Sequence, residues 1–501
     1  MSSLNQIKYG AIISYIAIAL NIISGLIVTP WMVKSIGVSD YALYTVVNSL
    51  IALLTIDFGL SAATSKFVSQ YRAEGREDKI SSFLGIVYKL YITVDLIIFL
   101  IILILFFFID KIYLSFTAQE IEKLKCIYIM AGSFLLFSFP FVNLNGILNS
   151  YEKFIQLKLS NIIHRVLVVV FIAVALIMGY GLYGVVAANI TAGISVIVYK
   201  LTVIKKEINI SINFHSRDNS ILKLLLKFSF WTTVSAMASR LIFSIMPTIM
   251  AIYTDTKAIA VFGVVTTLEG YSYTFAGAIN GMFMPKISKI YADHGKNSER
   301  ILELMIKVGN FQFALNSLII TGFLLVGKDF ILLWMGKEYI GAYIGTLLVM
   351  FPSILYNPLQ IANTSMIVEN KVYLPAMVAL ITGLCNVIFS LIIVPIYGFI
   401  GACISISVAY MVRVIILWIL HKKVMKINIL VFMKKCYLKN LIPVIFTIII
   451  GGLFVNWYSS ISWLDLAIKG IVICGIYAVF FGAFCIKKEQ ILSVDSKIKR
   501  R

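Results

Sequence analysis

Long apolar runs are the feature that most constrains how this chain can fold. Runs of about 18 residues or more recur along the whole sequence, and each could cross a bilayer core of roughly 30 Å as a helix. Hydrophobic residues make up 60% of the chain and charged residues only 13%, with a mean hydropathy of +0.96. Soluble domains are about 45–50% apolar and about 25% charged. The sequence therefore predicts an all-α, polytopic integral membrane protein.

We predict 14 transmembrane helices. The first is expected to be retained, because it is too long for a signal-peptide core and no small-residue cleavage site follows it. The predicted spans are residues 10–33, 42–65, 81–109, 124–148, 157–178, 182–203, 226–251, 258–283, 302–326, 341–364, 374–396, 399–420, 440–457 and 463–485.

Similar segments recur at a near-constant offset of 217 to 220 residues. The pairs are Tyr180–Gly184 with Tyr397–Gly401, Thr45–Leu50 with Gly263–Leu268, Lys66, Tyr71 and Gly75 with Lys286, Tyr291 and Gly295, and Lys89 with Lys307. One offset over several regions indicates two copies of a six-helix bundle, parallel to each other about an axis along the membrane normal. The predicted parts are an N-terminal lobe at 1–204, a cytoplasmic linker at 205–221, a C-terminal lobe at 222–420, a cytoplasmic loop at 421–439, and helices 13 and 14 with a basic tail at 440–501.

Basic residues are distributed unequally between the two sides of the predicted membrane. The chain has 43 Lys and Arg against 23 Asp and Glu. Since cytoplasmic loops attract Lys and Arg, both termini are predicted to be cytoplasmic. The net charge of +20 also indicates affinity for anionic lipids, whereas nucleic-acid binding is disfavoured because no folded domain carries the charge. The predicted outer turns hold only Lys34, Lys111, Lys123, Lys125, Lys257, Lys328 and Lys337.

Histidines and cysteines do not indicate a metal site or a cofactor. The four histidines are scattered, and the six cysteines form no Cys-x-x-Cys pair and lie mostly in apolar runs. Such cysteines are typical of small hydrophobic packing residues.

Several short motifs resemble a known family. They are Gly37-Val-Ser-Asp-Tyr-Ala-Leu-Tyr44, Asp57-Phe-Gly-Leu60, Gly146-Ile-Leu-Asn-Ser-Tyr-Glu-Lys-Phe154, Leu333-Trp-Met-Gly-Lys-Glu-Tyr339, and Asn386 leading into Tyr397-Gly-Phe-Ile-Gly401. The chain resembles the polysaccharide-exporter branch of the multidrug/oligosaccharidyl-lipid/polysaccharide (MOP) superfamily, and within it Wzx-type flippases of O-antigen or capsule repeat units. One departure is Tyr41-Ala-Leu-Tyr44, where the family usually has Tyr-Gly-Leu.

The resemblance implies both a fold and a function. The fold is two six-helix lobes around a V-shaped cavity. The function is transfer of an undecaprenyl-diphosphate-linked oligosaccharide from the cytoplasmic to the periplasmic leaflet of the bacterial inner membrane, in the company of a polysaccharide polymerase and chain-length proteins.

Five cations within the predicted spans are candidate ligands for a diphosphate. A charge at the centre of a bilayer costs about 2.5–3.5 kcal/mol, so each requires a reason, and the planar fork of arginine matches phosphate oxygens. The alternatives are snorkelling to the surface for two of the five and structural ion pairs for Arg165 and Arg240. The candidates are Arg240, Arg165, Lys89, Lys307 and Arg413, of which Lys307 and Arg413 could snorkel.

Acidic and amide residues add further candidates. Asp95 and Glu269 lie in mid-span and are candidates for proton or sodium coupling, because a buried carboxylate can take up a proton near neutral pH. The alternative is that they pair with a span arginine. Asn143 and Asn145 are candidate contacts to sugar hydroxyls. Four prolines are predicted to interrupt helices, namely Pro140, Pro247, Pro352 and Pro358.

Three other functions compete with export of a lipid-linked oligosaccharide as interpretations of the sequence. A membrane glycosyltransferase or polymerase would need paired acids on a loop or a large external segment, and the sequence has neither. A multidrug antiporter of the same superfamily would favour an acidic cavity for cationic drugs, whereas here cations balance the acids. A flippase for the lipid-linked peptidoglycan precursor also handles a diphosphate, and the sequence leaves it open.

Overall fold

The protein is helical throughout the part described. The computed structural model describes residues 3–208, 210–216, 218–277, 283–294, 297–459 and 461–485, and within these ranges it contains no β-strand. Residues 278–282 of the predicted span 258–283, Gly295 of the repeat and the predicted basic tail after Cys485 lie outside the described residues.

Contacts divide the chain into two compact units, Met1–Gly263 and Val264–Arg501. The first contains α1 (Ser3–Ile36), α2 (Val38–Leu54), α3 (Leu60–Ala73), α4 (Glu77–Ile112), α5 (Ala118–Ser138), α6 (Leu144–Ser150), α7 (Phe154–Ile177), α8 (Gly181–Glu207), α9 (Asn219–Arg240), α10 (Met246–Tyr253) and the start of α11 (Thr256–Gly277). A 3-10 turn, Phe139–Asn143, joins α5 to α6.

The second unit contains the end of α11 and the helices that follow it. They are α12 (Met284–His294), α13 (Ser298–Trp334), α14 (Ala342–Met350), α15 (Ser353–Tyr356), α16 (Gln360–Val368), α17 (Tyr373–Val424), α18 (Ile429–Phe432), α19 (Lys439–Trp457) and α20 (Trp463–Cys485). Short 3-10 segments lie at Lys337–Tyr339 and Asn357–Leu359, and a π-helix at Met433–Leu438 precedes α19.

Many of these helices are suited to a bilayer. Within the described residues, eleven helical segments are long and apolar enough to cross a membrane, and α2 is a shorter apolar helix. Large apolar side chains such as Phe107, Ile177 and Ile392 are exposed on their surfaces, which is expected where the surroundings are acyl chains. The protein is a multi-pass membrane protein, while the total of 14 spans stays a prediction.

The turn after α6 and the turn after α16 have the same backbone geometry. Glu152 and Asn370, 218 residues apart, both have positive φ angles, of 57° and 60°. The amide of the next residue, Lys153 or Lys371, donates to a carbonyl five residues back at 2.9 Å in both turns. Positive φ is uncommon in residues other than glycine. The offset found in the sequence therefore reappears as a shared, unusual local structure.

A second pair of turns repeats as closely. Gly181 and Gly398, 217 residues apart, have φ angles of 54° and 55°, in the left-handed region that glycine adopts readily. Gly398 breaks α17 into two helices at the boundary predicted between spans 374–396 and 399–420. At Gly184 and Gly401 an added Cβ would lie 2.5 Å and 2.6 Å from the nearest heavy atom. Both motif glycines therefore allow the chain to pack closely at a helix-to-helix turn.

All four prolines predicted to interrupt helices lie at interruptions. Pro140 and Pro358, again 218 residues apart, lie in 3-10 turns. Pro352 precedes α15, and Pro247 lies in the first turn of α10 after a non-helical stretch at 241–245. These interruptions follow from the missing amide hydrogen and the fixed φ of proline.

The last helix, α20, is held to α13 by buried polar contacts. Nζ of Lys469 on α20 lies 2.8 Å from Oδ2 of Asp329 on α13, and the lysine is only 2% exposed. The hydroxyls of Ser317 and Tyr477 lie 2.7 Å apart between the same helices. Helix α20, which lies outside the repeat, is thus attached to the second unit by specific interactions.

Candidate functional site

The predicted span 42–65 is interrupted in the structure. Helix α2 ends at Leu54 and α3 begins at Leu60. Between them Phe58 and Gly59 both have positive φ, and Oδ1 of Asp57 accepts a hydrogen bond from the Gly59 amide at 3.0 Å. A side chain that satisfies a nearby backbone amide stabilises a turn in place of helix. This interruption, residues 55–59, is called the α2–α3 break below.

Arg240 lies next to the α2–α3 break. It is the last residue of α9, roughly 30 Å from the start of that helix. Its Nη2 donates to the carbonyl of Thr55 at 3.5 Å, and no carboxylate in the described residues forms an ion pair with it. Gly59 is so close to Thr232 of α9 that no Cβ would fit. A half-buried guanidinium is therefore located where two helices are both interrupted.

A cavity of about 410 Å³ lies beside the break. Its lining is almost entirely apolar and comes from the break, α3, α4 and α9; the residues are Phe58, Leu60, Leu90, Val94, Ser229, Phe230 and Thr233. The hydroxyl of Ser229 is buried there without a hydrogen-bond partner in the described structure. Asp95 follows Val94 on α4, and its Oδ1 is also buried and unpartnered. The cavity can take an apolar group close to polar atoms.

Arg165 and Lys89 bind backbone and side-chain oxygens within the first unit. Arg165 Nε lies 2.5 Å from Ser24 Oγ, and its Nη2 donates to the Asn21 carbonyl at 3.1 Å, so it links α7 to α1. Lys89 Nζ donates to the Ser216 carbonyl at 2.9 Å. Lys89 therefore holds part of the predicted linker against α4. Their role in ligand binding stays a prediction.

The two candidate sugar-contact amides differ in their surroundings. Asn143 is fully buried, and neither its Oδ1 nor its Nδ2 has a hydrogen-bond partner in the described structure. Asn145 Oδ1 accepts a hydrogen bond from Lys200 Nζ at 2.8 Å. In this conformation neither amide is presented to a ligand, and a role in sugar contact stays a prediction.

Helix α2 is hydrogen-bonded to α10. Ser49 Oγ donates to the Ser244 carbonyl and lies 3.1 Å from Thr248 Oγ1. Nearby, Ser115 Oγ donates to the Ala251 carbonyl at 2.7 Å. Helix α10 lies in the second sequence copy, yet these bonds join it to the first. This α2–α10 contact explains why the first compact unit extends beyond the predicted lobe 1–204 to Gly263.

The second unit holds the remaining candidates. The Arg413 guanidinium lies 4.4 Å from the ring centroid of Tyr356 and 5.7 Å from that of Tyr410. Glu269 on α11 is half-buried and, like Asp95, forms no ion pair with any described residue. The alternative in which these acids pair with span arginines is therefore not observed here. Lys307 is exposed on α13.

The sequence alone does not single out the tyrosines around Arg413 as functional residues. Tyr410 and Arg413 are three residues apart on α17, and Glu269 and Tyr273 are four apart on α11, so each pair shares one helix face. This spacing is the indication that the sequence contains of a shared site on each helix. Tyr356 comes from a separate short helix, α15, and only the fold places its ring against Arg413.

The chain is similar to proteins of polysaccharide synthesis. The sequence model of a family described as "Polysaccharide biosynthesis protein" matches residues 7–291. The capsular polysaccharide biosynthesis protein CapF of Staphylococcus aureus is 28% identical over 151 residues, which cover 30% of this chain and 37% of that protein. The chain thus matches little more than a third of the length of this relative.

Two kinds of solved transporter have the same fold. The lipid II flippase MurJ in an inward closed conformation superposes with a TM-score of 0.73 at 17% identity, covering 95% of this chain and 98% of MurJ. A multidrug resistance MATE family transporter of the MOP superfamily, in an inward-facing conformation, gives a TM-score of 0.69 at 12% identity, covering 87% and 99% of the two chains. At these identities the likeness establishes the fold.

Proposed function

Because this chain belongs to the polysaccharide biosynthesis protein family, in the polysaccharide-exporter branch of the MOP superfamily, we propose that it is a flippase for an undecaprenyl-diphosphate-linked oligosaccharide. The family match over more than half of the chain is the observation that carries the proposal. The substrate is an O-antigen or capsule repeat unit, moved from the cytoplasmic to the periplasmic leaflet of the bacterial inner membrane. Both termini are cytoplasmic in this proposal.

The cations within the predicted spans support an anionic substrate. Arg240 has no carboxylate partner among the described residues and lies next to the α2–α3 break, which also lines an apolar cavity. This arrangement suits a ligand with a diphosphate and a hydrocarbon chain. Arg165, Lys89, Lys307 and Arg413 are proposed as further diphosphate ligands. A cationic drug would be repelled by this set, which argues against multidrug transport. Lipid II is the alternative cargo, since the MurJ neighbour is described as a lipid II flippase.

Transport is proposed to occur by alternating access, in which the two sequence copies move relative to each other. The α2–α10 contact supports this, because it joins the copies through a few hydrogen bonds that can separate. Asp95 and Glu269 are proposed to couple the movement to protons or sodium ions. Their half-buried carboxylates lack ion-pair partners in the described structure and so are available to a cation.

A disulfide across the α2–α10 contact tests the proposal. Ser49 Oγ and Thr248 Oγ1 lie 3.1 Å apart, so cysteine sulfurs at these positions can reach bonding distance. In a background without the exposed Cys126 and Cys474, oxidised Ser49→Cys/Thr248→Cys protein should stop exporting polysaccharide, and a reductant should restore export. The single-cysteine variants under the same oxidant are the controls. Full export by the crosslinked protein would reject alternating access through this contact.

The cargo is tested by deleting the gene. We expect loss of surface polysaccharide together with accumulation of the lipid-linked repeat unit in the cytoplasmic leaflet. Arrested peptidoglycan synthesis with normal surface polysaccharide would instead assign lipid II as the cargo. Altered drug susceptibility alone would indicate a multidrug transporter.

A further inference from the structure

Three tyrosines and two opposite charges form a cluster within the second unit, on α11, α15 and α17. The guanidinium of Arg413 lies over the rings of Tyr356 and Tyr410, and these rings meet edge-on with centroids 5.7 Å apart. Among the described residues, Arg413 is thus held by aromatic faces and not by a carboxylate. Such stacking orients a guanidinium and leaves its hydrogen-bond donors at the edge of the plane.

The cluster has polar groups that lack partners. Nε of Arg413 is buried without a hydrogen-bond acceptor in the described structure. Glu269 has no hydrogen bond or ion pair there, and both charges are close enough to act on the hydroxyls of Tyr273 and Tyr410. Leaving a buried donor unsatisfied is unfavourable. A ligand that brings an acceptor oxygen to Arg413 would remove that penalty.

The first sequence copy has no such cluster. At the offsets of 217 and 218 that relate the copies, Glu269, Tyr273, Tyr356, Tyr410 and Arg413 correspond to Ile51, Thr55, Ser138, Gly193 and Val196. All five are uncharged and none is aromatic. Since the first copy forms its helices without these groups, the repeated fold does not require them. The cluster therefore has a role other than forming the repeated fold, and only the second copy has that role.

We infer that this cluster is a glycosyl-phosphate subsite, in which Arg413 binds the phosphate oxygen next to the first sugar and the exposed ring of Tyr273 holds that sugar. The inference rests on the proposed function and specifies where the junction between diphosphate and oligosaccharide binds. A sugar ring presents C–H groups on its faces and hydroxyls at its rim, so it stacks on an aromatic ring that is open to a ligand. Tyr273, 56% exposed, offers such a ring.

Glu269 makes a glycosyl phosphate a better ligand than inorganic phosphate. A free phosphate at Arg413 would carry its whole charge close to this carboxylate, and like charges at short range repel strongly where the dielectric constant is low. In a glycosyl phosphate one oxygen is esterified and the neutral sugar fills part of the space. The combination of one guanidinium, one carboxylate and three rings therefore fits the junction between phosphate and sugar better than it fits a phosphate or a sugar alone.

Binding to purified protein in lipid nanodiscs tests the subsite. The two probes are undecaprenyl diphosphate, which has no sugar, and lipid-linked oligosaccharide extracted from the membranes of the polysaccharide-producing cells. We expect Tyr273→Ala to weaken binding of the oligosaccharide lipid about tenfold and to change binding of undecaprenyl diphosphate less than about twofold. Tyr273→Phe keeps the ring and should bind both as the wild type does.

A second tyrosine provides a matched control. Tyr397 is 63% exposed on α17 in the same unit, and Tyr397→Ala should leave the binding of both probes unchanged. Equal weakening of both probes by Tyr273→Ala, or no weakening of either, would overturn the subsite and leave the flippase proposal standing. If the wild type binds neither probe more tightly than a phospholipid, the proposed function fails and the subsite with it.

Discussion

Replacing Arg240 by alanine separates a structural role of this arginine from a binding role. The side chain makes one hydrogen bond in the described structure, from Nη2 to the Thr55 carbonyl at 3.5 Å, which is at the limit of hydrogen-bond geometry. Ordinary intramolecular hydrogen bonds contribute about 0.5–1.5 kcal/mol net, so this long one contributes less than about 1 kcal/mol. We expect Arg240→Ala to melt within about 3 °C of the wild type.

Ligand binding should respond far more strongly than stability. A hydrogen bond between a charged group and its ligand contributes about 1.5–3 kcal/mol, which corresponds to roughly 10- to 150-fold in the dissociation constant. We expect Arg240→Ala to bind undecaprenyl diphosphate more weakly by this factor and to lose surface polysaccharide at normal protein levels. Arg240→Lys keeps the charge but loses the paired fork, so it should retain part of the activity.

Arg165→Ala is the matched control for the measurement of stability. Arg165 makes two short contacts to α1, to Ser24 Oγ at 2.5 Å and to the Asn21 carbonyl at 3.1 Å, so its removal should lower the melting temperature more than removal of Arg240. Thermal unfolding followed by tryptophan fluorescence compares the two variants. Wild-type binding and polysaccharide in Arg240→Ala, or a melting temperature as low as that of Arg165→Ala, would refute a binding role for Arg240.

Two further sets of substitutions address stability and coupling. Asp329→Asn leaves the ammonium of Lys469 buried without its counter-ion, so the free energy of unfolding should fall by about 3–5 kcal/mol. Asp329→Leu combined with Lys469→Met should recover much of this loss. An unchanged melting temperature in Asp329→Asn would contradict the pairing. Glu269→Gln or Asp95→Asn should abolish gradient-driven uptake into liposomes while binding of undecaprenyl diphosphate persists, and normal uptake by both variants would remove carboxylate coupling from the mechanism.

The helical fold and its duplication were predictable because both depend on local properties. Apolar runs long enough to span a bilayer leave the backbone few alternatives to helix. The offset between the copies was visible in the motif glycines, and the turns at Gly181 and Gly398 then show the same φ in each copy. The proline interruptions were predictable for the same reason, since proline acts on its own turn.

Contacts between distant residues were not predictable from a single sequence. The α2–α3 break lies inside an apolar run, and it depends on the Asp57 side chain and on the approach of Thr232 from another helix. Lys89 has the charge expected of a diphosphate ligand, but its hydrogen bond to the Ser216 carbonyl, 127 residues away, appears only in the folded chain. The sequence shows which residues carry charge, whereas the partner of each charge depends on tertiary structure.

The hydrogen bond from Arg240 to the Thr55 carbonyl has a consequence for how the protein responds to acid. Thr55 caps the carboxyl end of α2, where aligned peptide dipoles place about half a negative elementary charge. The guanidinium is therefore partly compensated by a group that does not titrate, and proton uptake cannot release it. The affinity of this arginine for an anion should stay constant across the neutral pH range, so any proton dependence of transport has to arise at other groups, such as Asp95 or Glu269.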